Sequence, residues 1–168
     1  TILKRSISIP TNLFIPQNTN TLHNKNSVEQ SFTTNYQNPT MTREIILDTN
    51  FLTAPFQLDS IDIFQEIERI FPQSQVYTIE DAVQEAQSIE QGKYGNLVEK
   101  IVDKKDIEVL ETEGEGSVDD LLVEISRDYV IATNDKELKE RLIEGNAEVI
   151  QIRNESYLEV LNRKDPGF

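Results

Sequence analysis

The chain has 168 residues, 37% of them hydrophobic, a formal net charge of −14, no cysteine and one histidine, His23. That length suits one ordinary domain. The missing cysteines exclude disulfides, thiolate metal sites and cysteine nucleophiles, and the lack of any 18-residue apolar stretch excludes a membrane-spanning helix.

Composition divides the chain near Met41. Residues 1–40 contain 21 Ser, Thr, Asn or Gln and one acid, Glu29. Such a segment is too polar to bury a core, so disorder is expected there, with Met41 as the natural start and residues 1–40 an upstream extension. Residues 41–168 hold the periodic apolar segments and nearly all the charge. The first part carries +2 and the second therefore −16. The lone His23 lies in the polar part, so histidine catalysis is not expected. Chemistry must run on carboxylates, hydroxyls, Lys, Arg and a metal. The expected compartment is the cytoplasm.

Strand signals recur at 44–48, 75–79, 107–112, 129–133 and 148–153, as short runs rich in Ile and Val that suit a buried parallel sheet. Helical spacing lies between them. Ile61, Phe64, Ile67, Ile70 and Phe71 mark a first helix, and Ala82, Val83, Ala86 and Ile89 a second. Leu97, Ile101 and Val102 mark a third, Val118, Leu121, Leu122 and Ile125 a fourth, and Leu138, Leu142 and Ile143 a fifth. A short last helix is expected around 155–162. The alternation predicts an α/β fold: a three-layer α/β/α domain with a central, mostly parallel sheet of about five strands. In such sheets ligands bind beyond the carboxyl ends of the strands.

Four acids are candidates for that edge. Asp48 closes EIILD and Asp135 closes VIATND. Either can be a plain structural residue: Asp48 a turn former, Asp135 a helix N-cap. Either can also face a cation. Glu85 borders the stripe of the second helix and is alternatively an ordinary surface acid, whereas Glu80, Asp81 and Glu90 are expected to face solvent. Asp119 and Asp120 are separated by helix arithmetic, lying roughly 110° and roughly 150° from the apolar stripe of their helix. Asp119 therefore borders the buried face, while Ser117-x-x-Asp120 fits a capping box. A cup of oxygen ligands at the end of a parallel sheet suits a hard divalent cation, and such a cation can drive phosphodiester hydrolysis. Asp48-Thr49-Asn50 lacks the second acid of the Asp-x-Asp motif of haloacid-dehalogenase-like phosphatases, which weakens that alternative.

The joint pattern resembles the PIN-domain ribonucleases. The resemblance is carried by ILDTNFL (46–52), TIEDAVQEA (78–86), GSVDDLLVEI (116–125) and IATNDKELKERL (131–142), and it covers about residues 43–155. The last segment is most similar to archaeal and eukaryotic members linked to ribosomal RNA processing; toxin RNases share the fold and the acids. The resemblance implies Asp48, Glu85, Asp119 and Asp135 as catalytic, metal-binding acids, with Asp120, Thr133 and Asn50 in secondary roles. It implies Mg²⁺ or Mn²⁺ as cofactor, because clustered carboxylates repel one another unless cations neutralise them. The implied activity is endonucleolytic hydrolysis of RNA. A catalytically weak module that binds RNA or a protein partner, a homodimer, and a toxin held by an antitoxin are the alternatives.

Affinity for RNA phosphates comes largely from Lys and Arg, and a domain at −16 has few to offer. Lys136, Lys139 and Arg141 follow the last motif and are the candidate RNA contacts, although pairing within the helix, as of Glu137 with Arg141, would occupy them. Lys93, Lys100, Lys104 and Lys105 are weaker candidates. Tyr94 can stack a base if it is not half-buried.

Overall fold

Three branched runs form the centre of the molecule: Ile45-Ile46-Leu47, Val130-Ile131-Ala132 and Val149-Ile150, all buried. Strands without a polar side must be covered on both faces, and that requirement dictates the layering. The computed structural model describes residues 42–89, 93–112 and 116–163, together with the backbone of 4–6.

The elements run β1 (Lys4–Ser6), β2 (Glu44–Leu47), α1 (Thr49–Thr53), a 3-10 turn (Ala54–Phe56), α2 (Ile63–Ile70), β3 (Gln75–Ile79), α3 (Glu80–Ser88), α4 (Gly95–Lys104), β4 (Glu108–Glu111), α5 (Val118–Ile125), β5 (Val130–Ala132), α6 (Lys136–Glu144), β6 (Val149–Arg153) and β7 (Tyr157–Leu161). They build one sheet in the order β1-β4-β3-β2-β5-β6-β7. Every pairing is parallel except that of β6 with β7. From β2 the chain steps outward through β3 to β4, then returns across to β5 and steps the other way to β6. Right-handed crossovers place the helices of the first half on one face and α5 and α6 on the other. The order reverses between β2 and β5, and the carboxyl ends of those two strands open the crevice in which such sheets bind ligands.

All five expected strands and all five expected helices between them are present. The first helix stops at Ile70, one residue short of the periodic pattern. Phe71 precedes Pro72, whose ring disfavours helical backbone in the residue before it, and Phe71 takes φ −130° and ψ 77°. Two elements were not anticipated. Helix α1 starts directly after Asp48, and Lys4–Ser6 adds a parallel edge strand, Lys4 opposite Val109 and Ser6 opposite Glu111. Apart from those three residues, the segment expected to be disordered lies outside the described residues.

The helix expected around 155–162 is instead strand β7, the return arm of a hairpin with Ile152 opposite Leu158 and Ile150 opposite Val160. Tyr157-Leu158-Glu159-Val160-Leu161 does not alternate strictly, and the turn decides the outcome. Asn154 and Glu155 both take positive φ, 49° and 54°, and the Ser156 amide donates to the Arg153 carbonyl at 3.0 Å. Two consecutive left-handed residues reverse the chain with the twist a hairpin needs. Leu158 is buried, and its amide donates to Glu66 Oε2 at 3.0 Å, which fastens β7 to α2.

The hairpin makes a signed prediction. Glu155→Gly relieves a left-handed glutamate and is expected to stabilise the domain by up to about 1 kcal/mol in urea unfolding. A loss of about 1 kcal/mol is what a helix at this position would give, and that result would refute the hairpin.

Candidate active site

Asp48 sits where the sheet order reverses. Its amide donates to the Ala132 carbonyl at 3.0 Å, so the β2–β5 pairing extends through it and carries its side chain to the strand end. It is 3% exposed. Its backbone starts α1, yet its carboxylate makes no capping bond. Instead Oδ2 accepts the Thr133 hydroxyl at 2.5 Å and, more weakly, the Asn50 amide at 3.4 Å. The turn-forming role is met in part, since the Thr49 backbone bonds the Asp48 carboxylate, while Oδ2 is taken by Thr133.

Thr133 is fully buried and serves both strand ends. Besides donating to Asp48, its Oγ1 accepts the Asp135 amide at 3.0 Å. Asp135 caps α6, its Oδ1 accepting the Leu138 amide at 2.8 Å. The capping role is real and uses one oxygen, while Oδ2 takes no part in it.

On α5 the two neighbouring acids divide as the helix arithmetic expects. Ser117 and Asp120 form a capping box: Asp120 Oδ2 accepts the Ser117 amide at 3.2 Å, and Ser117 Oγ accepts the Asp120 amide at 3.3 Å. Asp120 also takes an ion pair from Arg141 of α6 at 2.7 Å, which with Ser117 holds its carboxyl below the usual range. Asp119 is half-buried and used by neither motif. Glu85, on α3, is exposed rather than at a buried border; its Oε2 accepts the Thr49 hydroxyl at 2.7 Å. Thr49 escaped sequence reasoning although it follows Asp48 directly. A hydroxyl flanking a candidate acid was the available signal.

Asp48 and Asp119 feel the charge of neighbouring acids. Burial pushes the Asp48 carboxyl up; the Thr133 hydroxyl and Thr49 amide oppose this, and the charges of Asp119 and Glu85 push it further up. Asp119 is also raised, by burial first and then by Asp135, with Arg141 opposing and Glu85 and Asp120 adding to the rise. Asp48 thus senses Asp119 and Glu85, and Asp119 senses Asp135 and Glu85.

Among the described residues, no three acidic or other ligating side chains stand close enough to enclose an ion by themselves. The donor chemistry still fits a hard divalent cation. All four groups offer oxygen, and Mg²⁺ typically takes only one or two carboxylates, keeping waters and adding substrate phosphate.

The expected cationic contacts are mostly engaged elsewhere. Lys139 donates to Gln151 Oε1 at 2.9 Å, and Arg141 pairs with Asp120 rather than with Glu137. Lys136 is exposed, 3.8 Å from Glu140. Tyr94 is buried and stacked on Phe56 at 5.9 Å, so no base can lie on it, and Lys105 sits over the Phe64 ring at 4.6 Å. Asp81 accepts the Thr112 hydroxyl at 2.9 Å, and Glu90 lies outside the described residues.

Residues 45–155, about two thirds of the chain, match the family model described as a PIN-like domain. The chain belongs to the PIN-like domain family. The match spans all four acids and Thr133. A solved structure titled "Structure of the PIN domain endonuclease Utp24" superposes with a TM-score of 0.60 at 23% identity, covering 73% of this chain and 93% of that one. The PIN-like layering is therefore shared. No curated protein matches the chain. Among the described residues, no helix is long and apolar enough to cross a membrane.

The PIN-like site predicts a pH signature. A carboxyl raised in the folded state stabilises the fold when protonated, below its ordinary value of 3.8, and loses that contribution as pH rises through the folded value. In metal-free buffer Asp48→Asn should therefore melt above wild type at pH 7, with the gap closing as pH falls toward 3.8. A mutant that melts lower at pH 7 would show that the carboxylate itself holds the strand end together.

Proposed function

We propose that this PIN-like domain is a metal-dependent endoribonuclease, with Asp48, Glu85, Asp119 and Asp135 serving Mg²⁺ or Mn²⁺, one or two of them as direct ligands and the others through its waters. One observation carries the reading. A buried carboxylate sits at the reversal point of the sheet and ionises against two other acids, Asp119 and Glu85, an arrangement that disfavours the folded state without a cation. Carboxyls perturbed by burial and by a specific neighbouring charge in a crevice are candidates for a functional site. The likeness to a structure titled a PIN domain endonuclease supports the reaction class, and the IATNDKELKERL segment supports a place in ribosomal RNA processing. A cytoplasmic location accompanies this reading.

Asp48 is the fixed member of the set. Thr133 and Asn50 orient its Oδ2, and burial excludes competing water. Asp135 offers the oxygen that its cap leaves over, Asp119 enters from the opening turn of α5, and Thr49 aims Glu85 from α3. A bound divalent cation supplies Lewis-acid charge at the phosphoryl oxygens and lowers the pKa of water to be used as nucleophile. The protein's own residues set where that charge can sit, and no side chain other than carboxylates and hydroxyls is needed beside it.

Asp48→Asn and Asp119→Asn are each expected to lower Mn²⁺-dependent cleavage of single-stranded RNA by about 100-fold or more, with circular dichroism unchanged. Asp120→Asn should retain most activity, since Asp120 is committed to the cap and to Arg141. Failure of the wild type to cleave any RNA in Mn²⁺ would sink the nuclease reading and leave a binding module. Independently, Mn²⁺ at ten times its dissociation constant should stabilise the fold by about 1.4 kcal/mol, and Asp48→Asn should reduce that gain.

A further inference from the structure

A groove of about 540 Å³ opens beside Asp135, with Asn50 on the same edge. One wall is the segment after the 3-10 turn, with Gln57 and Leu58. The other is the β6–β7 hairpin, with Ile152 and Asn154. The walls are tied together: the Ser60 hydroxyl donates to the Glu155 carbonyl, and Glu66 of α2 accepts the Leu158 amide. Asn134 fixes the floor, its Oδ1 accepting the Ile152 amide at 2.8 Å. The groove is thus preformed.

We propose that this groove binds the base of one unpaired RNA nucleotide next to the scissile phosphate; the proposal rests on the nuclease reading and names its substrate subsite. Four features agree. Half-buried Leu58 and Ile152 give an apolar surface for a ring face. The exposed amide of Gln57 and that of Asn50 each offer a donor and an acceptor, which match the unpaired edges of a base. Glu155 lines the same space and repels phosphate, so the base enters and the backbone stays outside. Lys136, with its side chain 84% exposed on the rim, is the cation placed to meet that backbone. The volume lies within the roughly 300–1,000 Å³ of small-molecule pockets, room for one nucleoside and not a duplex. A paired base has its edges occupied and cannot enter, so the groove selects single strands.

The test uses the full chain with Mn²⁺, a randomised single-stranded RNA 20-mer and its duplex counterpart. Leu58→Trp fills the groove and should raise KM about tenfold, the loss falling on KM more than on kcat. Gln57→Ala, at an exposed position where folding is not at stake, should flatten the base preference beside the cleaved bond. Unchanged KM and unchanged base preference in both variants would overturn the groove while leaving the nuclease intact. If the wild type cleaves nothing, the nuclease reading fails, and fluorescence anisotropy with a labelled five-nucleotide RNA then decides the groove. A loss of affinity of about fivefold or more in Leu58→Trp supports it, and equal affinity overturns it.

Discussion

The hydroxyl of Thr133 joins the two central strands at the point where their order reverses. It gives its proton to Asp48 at the end of β2 and receives the amide of Asp135 after β5. One buried atom thereby fixes both the orientation of the deepest acid and the start of the helix that the other acid caps. A hydroxyl suits this position because it donates and accepts at once. Valine, its near-isostere, would leave a buried carboxylate and an amide without their partner, a penalty comparable to a lost hydrogen bond at each.

Clustered acids are unfavourable, and the fold contains the compensation. Asp48 begins α1, Asp135 caps α6, and Asp119 lies in the first turn of α5. Helix amino ends carry partial positive charge, so three of the four carboxylates sit where backbone dipoles favour the ionised form. Glu85 has no such end; it is mid-helix, exposed and steadied by Thr49. The compensation is partial, since Asp48 and Asp119 both remain raised. A cation is the natural remainder. The protein's own cations offset the acids only in part: Arg141, held on Asp120, still acts on Asp119, and Lys139 is held on Gln151. Their engagement elsewhere leaves the acids only partly neutralised, which favours a bound cation.

The carboxyl-terminal hairpin gives the crevice its second wall. Had residues 155–162 formed a helix, no turn would face the segment after α1, and the groove next to Asp135 would be open on one side. The sequence was compatible with both, since Leu158 and Val160 lie two apart as on one face of a strand and Leu158 and Leu161 three apart as on a helix. Local periodicity in five residues cannot separate them. The left-handed Asn154-Glu155 pair and the Glu66 carboxylate reaching Leu158 chose the strand.

What the sequence determined is whatever depends on neighbours along the chain. Buried branched runs, 3.6-residue stripes and the Ser117–Asp120 box are short-range patterns, and they yielded the five central strands, five helices and the assignment of Asp120 to capping. The relation among the four acids was legible only as a resemblance, because nothing in their spacing, 37 residues from Asp48 to Glu85 and 34 more to Asp119, encodes proximity. The tertiary structure decided the rest. It set Thr133 between Asp48 and Asp135, turned Arg141 away from Glu137 toward another helix, buried Tyr94 under Phe56 and folded the last segment back as a strand. Each of those outcomes is a choice among partners brought together by sheet order and crossover hand, which no local window of sequence contains.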